Sequence, residues 1–100
     1  MKINNENKKA RLERAIAIAE AMLPLWVEAF PGDRRPEVAI AAAKAGDGIK
    51  FEGIYYGITA AGDNAYEASR ETKDFSPAVS NAAFWAAFAT QCAEDVKRVY

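Results

Sequence analysis

The sequence predicts an all-α protein, a single compact bundle of about four to five helices, and three observations support this. Of the 100 residues, 51% are hydrophobic and 27% are charged, which suits a folded domain rather than a disordered chain. Alanine, the residue with the highest helix propensity, dominates the apolar half. Apolar residues also recur at spacings of three and four over much of the chain. We treat residues 1–100 as one domain, with residues 1–5 expected to be flexible.

The first part of the bundle is predicted from an amphipathic stripe that a proline interrupts. Pro24 lacks a backbone donor, so the helix should kink there, or stop and restart. We therefore expect a long helix over residues 5–22 and a short one over 23–30. The stripe consists of Leu12, Ala15, Ile16, Ala19, Met22, Leu23 and Trp26.

A turn and a third helix follow. Residues 30–36 contain two prolines, a glycine and an aspartate, Asp33, that can cap the next helix. That helix is predicted over residues 36–45, with Pro36 in its first turn. Gly46 begins a Gly-Asp-Gly sequence that should end it.

Residues 49–59 fit two different structures. β-branched and aromatic residues alternate with charged ones at the start of the segment, which suits a strand. The apolar residues nevertheless keep helical spacing as far as position 68, and a lone strand would have no evident partner. We therefore expect a helix over residues 50–72, with a strand at 49–56 as the alternative. Gly53 and Gly57 would lie one turn apart on that helix and let another helix come close.

The last helix is predicted over residues 77–98. Ser76 is a favourable capping residue, and Pro77 suits the first helical position. Residues 82–89 are apolar on every side of the helix, which is expected of a helix surrounded by others.

The composition argues against an enzyme. The chain has no histidine and a single cysteine, which removes histidine-based triads, the usual general base near neutral pH, and Cys or His metal sites. Cys92 is expected to pack as a small apolar residue. Asp63, Glu67 and Glu71 share one helical stripe, but basic residues are interleaved with them, which is typical of a solvated helix face. We expect no catalytic residue, no cofactor and no metal site.

The net charge and the hydropathy of the sequence exclude some classes of binding partner. The formal net charge of −1 argues against a nucleic-acid binder, which would carry a basic face. No apolar stretch approaches the roughly 20 residues that span a bilayer, and no secretory signal is visible. We therefore expect a cytoplasmic protein with neither a nucleic-acid nor a membrane partner.

Arginine residues are the first candidates for a binding site. Arg34 and Arg35 stand together after Asp33 in the turn, and their guanidinium groups could grip a carboxylate or a phosphate. The alternative is that one of them pairs with Asp33 or caps the carbonyls of a neighbouring helix end. Arg70 is a further candidate for contacting an anion.

Aromatic residues supply the remaining candidates. Tyr55 and Tyr56 are adjacent, so one of them should be exposed, and an exposed tyrosine is good interface material. Phe84, Trp85 and Phe88 are expected to pack in the core. The alternative for them is an apolar patch that meets a partner or a second copy, and Trp85 is the candidate contact there.

The most distinctive segment runs from Leu23 to Ile40 and reads Leu-Pro-Leu-Trp-Val-Glu-Ala-Phe-Pro-Gly-Asp-Arg-Arg-Pro-Glu-Val-Ala-Ile. It resembles the start of the Imm-5-like immunity protein domain family. Members of that family carry a similar Leu-Pro-Leu-Trp-Glu, then Phe-Pro-x-Asp-x-Arg-Pro, then an alanine-rich helix. A looser likeness continues to about residue 95. The resemblance implies a small all-helical protein of a bacterium or phage that binds and neutralises a toxin.

Three functional hypotheses follow. The first is a non-catalytic inhibitor of a partner protein, either an immunity protein for a bacterial toxin or a phage protein directed at host defence. The second is a small-molecule or nucleotide binder, in which an arginine meets the anion and Tyr55 or Tyr56 stacks on the base. The third is a self-associating helical module, a homo-oligomer with Gly53, Gly57 and Trp85 at its interface.

Overall fold

A computed structural model describes residues 5–98 and has four α-helices and one small β-hairpin. The predicted all-α class is therefore confirmed. Of the residues expected to be flexible, 1–4 lie outside the described part of the chain, and Asn5 begins the first helix. The elements in chain order are α1 (Asn5–Ala29), α2 (Arg35–Ala45), β1 (Ile49–Phe51), β2 (Ile54–Tyr56), α3 (Ile58–Thr72) and α4 (Pro77–Lys97).

α4 is the central helix and packs against α1, α2 and α3. This agrees with the apolar character of its first half, where four alanines, Ala82, Ala83, Ala86 and Ala89, are almost fully buried. Alanine at these positions lets the neighbouring helices approach closely, because no longer side chain separates them. The core therefore consists mainly of small side chains around one helix.

The two helices expected over residues 5–22 and 23–30 are one continuous helix, α1. Pro24 lies inside this helix on its exposed side. A residue with a backbone N–H at position 24 would donate to the carbonyl of Glu20, one turn earlier. Because Glu20 is also exposed, water can donate to that carbonyl instead. Ala15 and Ala19 pack into one core cluster and Trp26 into another. Because both ends of the helix are held by packing, the proline does not end it.

The helix expected over residues 50–72 is wrong in its first part, which is an antiparallel β-hairpin. Ile49 pairs with Tyr56 and Phe51 with Ile54 across a two-residue turn. The turn residues Glu52 and Gly53 have positive φ angles of 51° and 85°, the conformation that suits a tight hairpin. The strand partner that seemed to be missing is thus the second half of the same segment.

The hairpin also changes the role assigned to two glycines. Gly53 occupies the turn, and Gly57, with φ of −68°, precedes the first residue of α3. Neither lies on a helix, so they cannot provide the close helix approach that was predicted. The homodimer interface built on that glycine pair loses its geometric basis for the same reason.

The predicted helix ends are confirmed at three places. Gly46 is left-handed, with φ of 79°, and its N–H donates to the carbonyls of Ala42 and Ala43 at the end of α2. Ser76 accepts a hydrogen bond from the N–H of Val79 at the start of α4, and Pro77 follows it. α2 likewise has Pro36 in its first turn.

The buried residues form two clusters, and α1, α3 and α4 contribute to both. The larger cluster joins all four helices and contains Cys92, which is 2% exposed and therefore packs as an apolar residue, as predicted. The smaller cluster surrounds the indole of Trp26 and includes Ala68 and Val79. None of the helices within residues 5–98 is both long and apolar enough to cross a membrane.

Candidate functional site

Arg34 is bound by two carboxylates from different elements. Its guanidinium group makes a bidentate pair with Glu37 in α2, at 2.7 and 3.0 Å, and a further contact of 2.7 Å with Glu52 in the hairpin turn. The same group lies 5.0 Å from the centre of the Phe51 ring. Arg34 therefore connects the start of α2 to the hairpin.

Arg35 is bound in a similar way, and here the prediction that one arginine pairs with Asp33 is confirmed. Its guanidinium group approaches the Asp33 carboxylate to 2.6 Å and the Glu71 carboxylate to 2.9 Å. Its backbone N–H also donates to Asp33 Oδ1 at 3.2 Å, so Asp33 supports the first turn of α2. Since Glu71 lies in the last turn of α3, Arg35 links the turn before α2 to that helix end.

These pairs define the electrostatics of the turn. The hydrogen bond from Arg35 lowers the pKa of the Asp33 carboxyl, and the hydrogen bond from Arg34 lowers that of Glu37. The carboxylates in turn raise the pKa of both arginines above its ordinary value. An external anion would have to displace the carboxylates that already bind the two arginines. The turn therefore serves to connect α2 to the hairpin and to the end of α3.

The two adjacent tyrosines lie on β2. Tyr55 is 66% exposed and Tyr56 is partly buried against the larger core cluster, so the prediction that one is exposed is confirmed. The physical reason is the strand, whose neighbouring side chains point to opposite faces, and not the helix that was expected. The Tyr55 ring lies across Gly48, where a Cβ atom would overlap the phenol oxygen.

The predicted binding residues do not form one site. Arg34, Arg35 and Tyr56 line a cavity of about 180 Å³. Arg70 is exposed on α3 and does not line this cavity, and Trp85 is partly buried against the larger core cluster. The Trp85 ring meets Phe88 edge-on, with 5.5 Å between the ring centres.

A larger depression lies elsewhere, between α3 and α4, and sequence reasoning missed it. Its volume is about 260 Å³, and we call it the α3–α4 groove. α3 contributes four lining residues, Thr59, Gly62, Asp63 and Tyr66, and α4 contributes six, including Phe84, Phe88, Thr90 and Glu94. The helical spacing of 59, 62, 63 and 66 was visible in the sequence, but the alignment of that face with α4 was not.

The floor of the groove is a close contact between the two helices. Gly62 lies against Thr90, and a Cβ atom at Gly62 would overlap Thr90 Oγ1 and stand 3.2 Å from its Cβ. Gly62 and Thr90 are both buried. The close approach expected of Gly53 and Gly57 is thus provided by Gly62, a glycine that the sequence analysis did not single out.

The walls of the groove are aromatic and unusually exposed. Tyr66 is 50% exposed on α3, and Phe84 is 42% exposed on α4. Phe84 stacks on Phe88 with 6.4 Å between the ring centres and an angle of 10° between the planes. Phe84 was expected to lie in the core, and this is wrong, because its side of α4 faces the depression rather than a neighbouring helix.

The groove carries two carboxylates, Asp63 and Glu94. The Thr59 hydroxyl donates a hydrogen bond to Glu94, which fixes that carboxylate beside the first turn of α3. Neither carboxylate makes an ion pair with any residue in the range 5–98. The groove therefore has aromatic walls, and its lining residues within the described part of the chain include two carboxylates and no lysine or arginine.

The carboxylates of α3 do not act together. Asp63 lines the groove, Glu71 binds Arg35, and Glu67 is exposed. Within residues 5–98, no three Asp, Glu, Cys or His side chains are grouped so that they could hold a metal ion.

No protein family model matches the chain, and no curated protein sequence or solved structure matches it either.

Proposed function

We propose that the chain is a small non-catalytic binding protein that neutralises a partner protein, and that the partner docks on the α3–α4 groove. The observation that carries the proposal is the exposure of Tyr66 and Phe84 on either side of that depression. Aromatic side chains are enriched at protein interfaces, where burial on binding removes a large apolar area from water. Two half-exposed aromatic rings around one concave surface form a site of this kind.

The dimensions of the groove favour a protein partner over a free small molecule. Sites for drug-sized ligands usually have volumes of roughly 300–1,000 Å³ and surround most of the ligand. The α3–α4 groove, at about 260 Å³ and open to solvent, is at the lower end of that range and does not enclose a ligand. It is large enough for one or two side chains that project from a larger surface, which is how interface hot spots are often built.

The segment that resembles the Imm-5-like family supports the class of function. Trp26 is buried and bonded to Asp33, Asp33 supports α2, and Pro36 opens that helix. These three residues of the segment thus maintain the scaffold, while the groove lies between α3 and α4. This arrangement suits proteins that keep one helical scaffold and vary the binding face. A bacterial toxin is the partner that the resemblance implies, and a host defence protein is the alternative.

The experiment is affinity capture with matched variants, followed by an activity assay. The tagged protein is used to capture partners from its own host, with Phe84→Glu as the groove variant. Leu25→Glu is the control, because Leu25 is 44% exposed, close to the 42% of Phe84, and lies on α1. We expect a stoichiometric partner with the wild type and with Leu25→Glu, and loss of that partner with Phe84→Glu.

An activity assay on the captured partner then tests whether the chain inhibits it. Its toxicity or enzymatic activity should fall when the wild-type chain is added, and Phe84→Glu should restore it. If Phe84→Glu and Leu25→Glu capture the partner equally well, the groove is not the docking site. If the chain leaves the activity of the captured partner unchanged, the chain does not neutralise that partner.

A small-molecule or nucleotide binder is the second candidate, and the lining of the second cavity favours it, because a guanidinium group, a phenol ring and an amide come together there in Arg34, Tyr56 and Asn64. At about 180 Å³ this cavity is smaller than the groove, so only part of such a ligand would fit inside it. The arginine would have to leave Glu52 to meet a phosphate. A panel of nucleotides and cyclic nucleotides should then raise the Tm of the wild type but not that of Arg34→Gln. A Tm that no ligand changes would dispose of this candidate.

A further inference from the structure

We infer that the α3–α4 groove receives one lysine or arginine side chain from the partner protein. This inference rests on the proposed function, and it names the chemistry that the same site recognises. The argument has three parts: the shape of the depression, its unpaired charges, and the way in which one carboxylate is held in position.

The shape and the aromatic walls suit a long side chain that is apolar along its stem. Lysine and arginine bury their methylene groups against apolar surface while the charged end reaches a polar group. Tyr66 and Phe84 offer such a surface on opposite helices, and Phe88 extends it behind Phe84. Aromatic faces also attract cations directly, so the walls favour a basic side chain over an equally long neutral one.

The charge of the groove selects the same partner. Asp63 and Glu94 line it, and no arginine or lysine in the range 5–98 pairs with either of them. The turn before α2 shows the opposite situation, since Asp33 and Glu37 are both neutralised by arginines. An incoming ammonium or guanidinium group would complete the groove as Arg34 and Arg35 complete the turn.

Glu94 is already held in place before any partner binds. The Thr59 hydroxyl donates to its carboxylate, so one oxygen is fixed and the carboxylate remains open to a second donor. A preorganised acceptor loses less conformational freedom on binding than a mobile one. An acidic side chain would instead meet two like charges, so an anionic occupant is disfavoured.

The test uses small probes, so it does not depend on knowing the partner. Nα-acetyl-lysine methylamide and Nα-acetyl-arginine methylamide are titrated into the ¹⁵N-labelled protein, and amide shifts are followed by NMR. The matched neutral probe is the same lysine compound acetylated at Nζ. We expect saturable shifts centred on the amides of Gly62, Tyr66 and Thr90 with the basic probes, and none of comparable size with the neutral one.

Three variants assign the effect to the charges. Asp63→Asn and Glu94→Gln should each weaken binding of the basic probes about three- to tenfold. The Gln side chain still offers an oxygen to Thr59, so the fold is preserved. Glu67→Gln is the control, because Glu67 is exposed on α3, as Asp63 is, but does not line the groove. This variant should bind the basic probes with the affinity of the wild type.

The outcomes separate this inference from the proposed function. Shifts of the same size with the neutral probe, or affinities that Asp63→Asn and Glu94→Gln leave unchanged, would overturn the inference. If a captured partner is still lost with Phe84→Glu, the groove remains the docking site for a partner of different chemistry. If the probes bind as expected and no partner is captured, the charge recognition stands and the inhibitor role falls.

Discussion

The indole N–H of Trp26 donates a hydrogen bond of 2.7 Å to the backbone carbonyl of Asp33. Trp26 lies near the end of α1 and is 1% exposed, and Asp33 belongs to the turn that leads into α2. A second bond, from the N–H of Asp33 to the carbonyl of Phe30, closes the same turn at 3.1 Å. One buried side chain therefore fixes both the end of α1 and the path of the chain into α2.

Replacing Trp26 by phenylalanine should separate its two roles. Phe keeps an aromatic ring in the smaller core cluster but removes the indole N–H and leaves a small void. We expect the free energy of unfolding to fall by about 1–3 kcal/mol, measured by urea denaturation. Leu25→Ala, at an adjacent and half-exposed position, should change it by only about 0.5 kcal/mol. Equal effects of the two substitutions would argue against the tie between Trp26 and the turn.

Gly62→Ala should destabilise the protein although alanine is the better helix former. The new Cβ atom would overlap Thr90 Oγ1, so α3 and α4 would have to move apart or the threonine would have to rotate. The expected loss is about 1–3 kcal/mol, against a propensity gain of about 1 kcal/mol.

The double variant Gly62→Ala with Thr90→Ala should recover part of the stability lost in Gly62→Ala, because the overlapping oxygen is gone. Gly32→Ala is the control, since nothing lies within 4 Å of a Cβ atom at that position. A fully additive double-mutant cycle, measured by chemical denaturation, would contradict the close contact.

Glu52→Asn should stabilise the hairpin. Glu52 has a φ angle of 51°, a left-handed conformation that Asn adopts more readily, and Asn-Gly is the preferred pair for this turn. The lost ion pair with Arg34 is exposed to solvent and therefore contributes little to stability, and Arg34 keeps Glu37 as a partner. We expect a higher Tm for Glu52→Asn and a lower one for Glu52→Ala, which loses the pair without relieving the backbone. A lower Tm for both would show that the ion pair outweighs the strain.

The ion pair of Asp33 should make stability fall at acid pH. The hydrogen bond from Arg35 lowers the pKa of Asp33 in the folded protein below its value in the unfolded chain, about 3.9. The contribution of the pair is therefore complete above that value and is lost as the pH falls through the lower pKa of the folded state. Asp33→Asn should unfold with a shallower dependence on pH below about 5.

Asp74→Asn is the control for this pH dependence, since Asp74 is exposed and makes no ion pair within residues 5–98. Its unfolding free energy should follow that of the wild type between about pH 2 and 6. The same shallow curve for both variants would show that the acid dependence does not arise from the Asp33 pair.

Local chemistry explains which elements could be predicted. Gly46 ends α2, Ser76 and Pro77 open α4, and Pro36 lies in the first turn of α2, because each depends on the backbone preference of one residue and its neighbours. The buried stripe of α1 was also visible, since helical periodicity requires only the spacing of apolar residues.

Three sequence-based predictions were wrong because they depended on contacts between elements and not on local chemistry. Pro24 was expected to kink the helix or to divide it into helices over residues 5–22 and 23–30, but packing at both ends of α1 outweighs the lost hydrogen bond and one helix continues through it. Residues 49–56 had apolar spacings compatible with either structure, and a turn with two positive φ angles decided for the hairpin. Gly53 and Gly57 were assigned a helix contact that belongs to Gly62, because only the alignment of α3 with α4 determines which glycine meets another helix.

The sequence by itself determined the helical class, most helix ends and the presence of two arginines beside an aspartate in one turn. Only the tertiary structure decided how those arginines are used, since Glu52 and Glu71 reach them from elements far along the chain. The α3–α4 groove likewise exists only when two helix faces are brought together. Spacing along one helix is a property of the local chain, whereas pairing between elements depends on how the whole core packs.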